Sequence, residues 1–149
     1  MRVSKLLVVV AMHLMPVLAW ASFKPTRVVA PELLGLYCTQ DGICIDDIKR
    51  IQEARELKNE AVQFINDRIG RLDDVPRAVF CSSSACAKSF GFTLQGAYNV
   101  GTVGFVISPR GWHKHFVRHE LIHHLQNERL GSLNNSDLLD KNSKSTVTY

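Results

Sequence analysis

The fold is decided by one stretch of sequence, Arg118-His119-Glu120-Leu121-Ile122-His123-His124, which contains the pattern H-E-x-x-H. On an α-helix, His119 and His123 lie four positions apart and share a face, so both imidazoles can reach one metal ion. Glu120 then lies beside the ion without ligating it. The stretch therefore predicts a metal-binding helix.

The spacing of the histidines decides which of them can share one ion. His115, His119 and His123 form a ladder at i, i+4 and i+8, and its ends lie about 12 Å apart along a helix axis. That separation is too large for one zinc ion with bonds of about 2.0 Å, so only one adjacent pair can bind it. The pair His119 and His123 is preferred because Glu120 then lies beside the metal as a general base, whereas the other pair would have Phe116 there. The predicted reaction is hydrolysis of a peptide bond.

The helix that carries the motif is predicted to run from about His113 to Leu130, with Gly131 as its stop. Five of its residues form the predicted core side: Phe116, Val117, Leu121, Leu125 and Leu130. We interpret His113 and His124, which lie off the face of the metal pair, as surface residues that cap, stack or titrate.

A third ligand is not evident, although catalytic zinc usually has three protein ligands and a water molecule. Glu128 lies nine residues after His119, about 180° round the helix, and is rejected on this geometry. Asp137 and Asp140 are weak candidates. They lie in residues 132–149, a polar segment rich in Ser, Asn and Lys that is predicted to be flexible.

Residues 1–21 have the pattern of a secretory signal peptide. Arg2 and Lys5 precede an apolar run, and Ala19-Trp20-Ala21 is a small-x-small cleavage site. A membrane span needs about 20 apolar residues, so no stable span is expected after cleavage, with an uncleaved N-terminal anchor as the alternative. The prediction is export to the periplasm or out of the cell. Without Arg2 and Lys5, 16 of the 18 basic residues remain against 14 acidic ones, an excess too small to predict nucleic-acid binding.

The four cysteines form two close pairs in the predicted mature part. In an exported chain, an even number of cysteines is typical of disulfide bonds. The short spacings favour Cys38–Cys44 and Cys81–Cys86 among three possible connectivities. A cysteine metal site is the less favoured alternative, because neither pair has the C-x-x-C spacing of zinc ribbons. The full chain has 46% hydrophobic and 21% charged residues, the profile of a globular protein, and one folded domain is predicted from 22 to 131.

The clearest helix is predicted from Asp46 to Ile69, where apolar residues recur at threes and fours. Its other face, which includes Lys58, is interpreted as solvated. Strands are predicted at Arg77–Cys81 and Val103–Ile107, and the serines at 82–84 offer an N-cap for a brief helix. If Val103–Ile107 is an edge strand over the cleft, it could hold an extended substrate by main-chain pairing.

Three segments resemble small exported bacterial metallopeptidases of the zincin type: Val103-Gly104-Phe105-Val106-Ile107-Ser108-Pro109-Arg110-Gly111-Trp112, His119-Glu120-Leu121-Ile122-His123 and Arg129-Leu130-Gly131. The resemblance implies zinc (Zn²⁺) held by His119 and His123, Glu120 as the catalytic base, and a peptide or protein as substrate. It also implies an α+β, zincin-like fold, in which a small antiparallel or mixed sheet accompanies a long scaffold helix and the HExxH helix.

Gluzincin-like proteins continue into a second helix with a W-x-x-E-G segment whose Glu completes the zinc site. After Gly131 this sequence has neither Trp nor Glu. Two interpretations therefore stay open: an enzyme with an unconventional third ligand, or a truncated or non-catalytic exported module for zinc binding or interaction.

Overall fold

Short strands alternate with helices in the computed structural model, which describes the backbone of residues 2–144 and the side chains of 8–131 apart from 11 and 19. The described residues form the α-helices α1 (Arg2–Ser22), α2 (Ile51–Arg68), α3 (Ser84–Ser89) and α4 (Lys114–Lys144). The strands are β1 (Tyr37–Cys38), β2 (Ile43–Ile45), β3 (Arg77–Phe80), β4 (Ala97–Val100) and β5 (Gly104–Ile107). Short 3₁₀ turns lie at Lys24–Val29, Pro31–Leu34, Ile48–Arg50 and Pro109–Gly111.

The five strands form one mixed sheet in the order β1-β2-β3-β5-β4. The three inner strands are parallel to one another, and β1 and β4 run antiparallel to their neighbours at the two edges. The prediction of an α+β fold with a small mixed sheet is confirmed.

Strand β5 is not an edge strand, so the segment Val103–Ile107 does not have the position that pairing with a substrate would require. It lies between β3 and β4, and all four of its residues are buried. A continuous apolar run covered on both faces is typical of an inner strand. The free edge on this side of the sheet belongs to β4.

Side chains that alternate along β3 and β5 enter two separate cores. On one face, Ala78, Phe80, Phe105 and Ile107 pack against α2 and α4. On the other face, Val79 and Val106 pack against α3 and Val28 of the first 3₁₀ turn. The sheet therefore separates α2 and α4 from α3.

Helix α2 begins five residues later than the sequence predicted, because Asp47 caps a 3₁₀ turn that precedes it. The Asp47 side chain accepts a hydrogen bond from the Lys49 N–H at 3.0 Å. Ile48, expected on the apolar stripe, lies in that turn and is exposed.

Lys58 is buried, and the prediction that it lies on a solvated face is wrong. It shares the inner stripe of α2 with Ala54, Ala61 and Ile65, and only 3% of it is exposed. Its ammonium group donates a hydrogen bond to the Asp41 carbonyl at 2.7 Å. Burial lowers its pKa to about 8, against the opposing effect of nearby carboxylates.

Helix α4 continues through Gly131 to Lys144, so the prediction that Gly131 stops it is wrong. A glycine that ends a helix usually has a positive φ, and Gly131 is not among the glycines with this conformation. Val117, Leu121 and Leu125 are buried as predicted, but Leu130 is 61% exposed. Residues 145–149 lie outside the described part, and the flexibility of 132–149 stays a prediction.

Both expected disulfides are present, Cys38–Cys44 and Cys81–Cys86, and no cysteine remains free. Cysteine thiolates therefore form no metal site here. Disulfides are compatible with an extracellular or periplasmic protein. Among the described residues, no helix combines the length and apolar character that crossing a membrane requires.

Candidate metal centre

Helix α4 is oriented by its apolar face. Val117, Leu121 and Leu125 recur at fours and pack against the sheet, which fixes how the helix is rotated. Beside them, Arg118 holds α4 to α2: its Nε donates to a Glu60 carboxylate oxygen at 3.1 Å, and its guanidinium lies over the Phe64 ring.

This rotation places the two motif histidines on an exposed side of the helix and their rings against each other. The two Nε2 atoms of His119 and His123 are 3.0 Å apart, and the rings are nearly perpendicular. Two nitrogens bound to one tetrahedral zinc, with bonds of about 2.05 Å, lie about 3.3 Å apart. The observed pair needs only a small adjustment to form one edge of such a site, so these residues fit the metal.

A cleft of about 480 Å³ opens at this pair and extends to the edge strand. The residues that line it are Ala97, Tyr98, Asn99, Gly101, His119, Glu120, His123 and Asn127. The edge strand β4 and the turn after it therefore form one wall, and α4 forms the other.

Glu120 lies at the wall of this cleft with only 4% of its surface exposed. Burial raises the pKa of its carboxyl group to about 7, and the nearby His123 opposes this shift. The arrangement brings together a carboxyl group and two imidazoles at one opening, as the spacing H-E-x-x-H predicts.

Two asparagines that the sequence analysis did not single out connect the walls of the cleft. Asn99 of β4 donates a hydrogen bond to the Glu120 carbonyl at 3.3 Å, and Asn127 donates to the Asn99 side chain at 3.3 Å. Asn127 could have been noticed, since it continues the ladder of His119 and His123 by four residues. Asn99 had no comparable signal in the sequence.

The remaining histidines of the cluster lie outside the cleft. His113 is exposed, as expected of a surface residue, and it stacks on the exposed His115 with ring centroids 5.7 Å apart. His124 is only 1% exposed, so the interpretation that it is a surface residue is wrong. Its Nε2 pairs with a Glu128 carboxylate oxygen at 3.0 Å, while its Nδ1 has no hydrogen-bond partner within the described part of the chain.

Glu128 lies away from the metal pair, in agreement with its rejection as a ligand. Its two carboxylate oxygens accept hydrogen bonds from the N–H groups of Asp73 and Asp74, at 3.2 and 3.0 Å. It therefore fastens the loop between α2 and β3 to α4.

A third donor that could join His119 and His123 at one metal ion is not found among the described residues. Within them, the one group of three convergent donors is Glu32 with Cys38 and Cys44, far from the motif in sequence. Because the two cysteines are bonded to each other, they offer no thiolate to a metal. The side chains of Asp137 and Asp140 lie outside the described residues, so these candidates stay predictions.

The resemblance to zincin-type metallopeptidases is an expectation from the sequence motifs. Comparison of the chain with models of protein families, with curated proteins and with solved structures finds no match.

Proposed function

We propose that this protein is an exported zinc-dependent peptidase, in which His119 and His123 hold the metal and Glu120 is the general base. The observation that supports this most directly is the approach of the two Nε2 atoms to 3.0 Å at the mouth of a cleft that Glu120 also lines. In catalytic zinc sites of the H-E-x-x-H type, two such histidine nitrogens bind the metal and the adjacent carboxylate is the general base.

Zinc bound at this pair would polarise the carbonyl group of the substrate and increase the acidity of water. The Glu120 carboxylate then accepts a proton from the water molecule that attacks the carbonyl carbon. The same carboxyl group returns this proton to the amine nitrogen as the C–N bond breaks, so one water molecule is added across the peptide bond. The products are a carboxylic acid and an amine.

An extended peptide is the substrate that the cleft accommodates best. Strand β4 lies at the edge of the sheet and lines the cleft, so its outward N–H and C=O groups are free to pair with a peptide backbone. This role belongs to β4 rather than β5. Main-chain pairing would align the scissile bond along α4 without selecting strongly for side chains.

The N-terminal segment and the two disulfides support the proposed location. We infer that residues 1–21 direct the chain to the periplasm or the medium, where oxidising conditions maintain both disulfide bonds. Retention by an uncleaved N-terminal anchor is the alternative.

A non-catalytic zinc-binding module is the second candidate function. It is favoured by the absence of a third protein ligand among the described residues. Two histidines alone should bind zinc loosely, and the Glu120 carboxylate would then take part in no reaction.

Zinc binding to the full-length chain, measured by equilibrium dialysis, tests the site. We expect one zinc per chain. Replacing a residue that only supports a metal ligand weakens metal affinity by roughly 10- to 100-fold, and His119→Ala or His123→Ala should weaken it by more than that. His113→Ala and His115→Ala are matched controls, because His113 directly precedes α4, His115 lies in its first turn, both are exposed and neither lines the cleft. Equal zinc affinity in all four variants would refute the site.

Hydrolysis of a mixture of extended peptides, followed by mass spectrometry, separates the two candidate functions. Under the peptidase proposal, Glu120→Gln retains zinc and loses cleavage, since the amide cannot accept the proton. Zinc binding without zinc-dependent cleavage by the unmodified chain would favour the non-catalytic module.

A further inference from the structure

A second cavity, of about 420 Å³, lies apart from the histidine cleft and shares no lining residue with it. Its walls come from α3, from the segment that precedes β4 and from the residues that follow β5. Its volume is within the range of sites that bind small molecules, about 300–1,000 Å³.

The topology of the sheet explains why a cavity forms at this place. Strands β3 and β5 are parallel neighbours, and their carboxyl ends point to the same side. The chain leaves β3 toward α3 on one face of the sheet, and leaves β5 toward α4 on the opposite face. Diverging connections leave a crevice between adjacent strand ends, which is where open α/β sheets bind ligands.

The apolar part of the lining is formed by Ala87, Phe92 and Pro109. Ala87 and Phe92 also belong to the core beneath α3, and each is less than a tenth exposed. The floor is thus a rigid apolar surface, suited to an aliphatic or aromatic group.

Two exposed cations, Lys88 and Arg110, lie on the walls of the same cavity, and no acidic residue lines it. Among the described residues, neither side chain has a carboxylate partner. Two hydroxyls of the lining donate within the protein: Ser108 to the Gln95 carbonyl at 2.9 Å, and Thr93 to the Gln95 side-chain oxygen at 3.1 Å. The cavity therefore carries a net positive charge, and the ligand that matches this charge is an anion.

We propose that this cavity binds a small organic carboxylate, with the apolar body on Phe92 and the carboxylate between Lys88 and Arg110. The guanidinium of Arg110 can present two N–H donors to one carboxylate, and Lys88 adds a point charge. This proposed carboxylate site does not depend on the proposed metal centre, and the experiments below test it separately.

Binding to the full-length chain is measured by isothermal titration calorimetry with 4-phenylbutyrate. The matched probes are 4-phenyl-1-butanol, which has the same body without charge, and acetate, which has the charge without the body. We expect saturable 1:1 binding of 4-phenylbutyrate alone among the three, at concentrations up to about 5 mM.

The double variant Lys88→Gln/Arg110→Gln should weaken this binding by at least about 10-fold, since both ionic contacts are lost. The matched control is Lys49→Gln/Arg71→Gln, which removes two exposed cations that do not line the cavity, and it should bind as the unmodified chain does. Equal weakening in both double variants, equal binding of the alcohol, or no saturable binding would overturn the proposal.

Discussion

Asp46 holds Ser83 through a single carboxylate oxygen: Oδ2 accepts the Ser83 N–H at 3.0 Å and the Ser83 hydroxyl at 2.6 Å. The other oxygen receives the N–H and the hydroxyl of Ser82, at 2.7 and 2.8 Å. The Ser83 hydroxyl oxygen in turn accepts the Cys86 N–H and caps α3. One carboxylate thus fixes the start of the helix that borders the second cavity.

Replacing Asp46 by alanine should lower the free energy of unfolding by about 1–3 kcal/mol, because four donors lose a charged acceptor. Asp46→Asn is the matched control and should cost less, since its amide oxygen can still serve one of the two serines. Urea denaturation at pH 7 measures both. An alanine variant as stable as the unmodified chain would show that the serines find equivalent partners in solvent.

The Asp46 carboxylate should also make the free energy of unfolding depend on pH in the acidic range. Burial alone would raise the pKa of Asp46, but the hydrogen bonds from Ser82 and Ser83 outweigh it and the pKa is lowered. Its contribution is therefore complete above the unfolded pKa of about 4 and is lost as pH falls through the lower folded value. Urea denaturation between pH 5 and 3 should show a shallower loss in Asp46→Asn. Parallel pH profiles would contradict this assignment.

Lys58 should make the protein more stable as pH rises from about 8 toward 10. The folded state releases the Lys58 proton at a pKa of about 8, whereas the unfolded chain keeps it up to about 10.5. The unfolded state therefore binds more protons in this window, and the free energy of unfolding increases with pH, by about 1–2 kcal/mol between pH 8 and 9.5.

Lys58→Met tests the origin of that increase, because methionine has a similar length and no charge. Denaturant unfolding at pH 7.5, 8.5 and 9.5 should show the slope in the unmodified chain and a flat profile in the variant. An equal slope in both proteins would mean that another group titrates.

Two glycines should respond in opposite directions to alanine. A Cβ at Gly111 would overlap the Gly96 carbonyl oxygen, which accepts hydrogen bonds from the Ser108 N–H and hydroxyl, so Gly111→Ala should destabilise by more than about 2 kcal/mol. A Cβ at Gly131 meets no atom within 4 Å, and the residue lies inside α4. Gly131→Ala should stabilise by about 0.5–1 kcal/mol in thermal unfolding. Destabilisation at Gly131 would indicate that α4 ends there.

Trp112→Phe should destabilise the protein by about 1–3 kcal/mol. The indole N–H donates to the Cys81 carbonyl at 2.7 Å in a buried site, and phenylalanine would leave that oxygen without its donor. Thermal unfolding by circular dichroism provides the measurement. The smaller phenylalanine ring retains part of the contacts that Trp112 makes with Phe80 and Arg50. A loss of stability far above this range would therefore indicate that the core repacks.

Local signals in the sequence were sufficient for the elements with strong periodicity or capping. The stripe at Ala54, Ala61 and Ile65 predicted α2, and the serine run predicted the cap of α3. The spacing of the cysteines predicted both disulfides. Local signals could not predict the order of the strands, because β5 inserts between β3 and β4 and the hydrophobic pattern does not encode this pairing.

Errors arose where tertiary contacts overrode local chemistry. Lys58 was expected in solvent because it is charged, yet its ammonium group donates a hydrogen bond to the Asp41 carbonyl inside the protein. Gly131 was expected to stop a helix, although glycine only permits the terminating conformation and does not require it. His119, Glu120 and His123 converge as their spacing indicated. Asn99 lines the cleft because it lies in β4, whose position at the edge of the sheet could not be predicted from the sequence.

Each disulfide joins a cysteine to the cysteine nearest it along the chain, with separations of six and five residues. Short loops close at a small entropic cost, so the native partner has the highest effective concentration even in the unfolded chain. Oxidation of the unfolded chain therefore favours the native pairing. Folding of this protein should consequently depend little on disulfide isomerases.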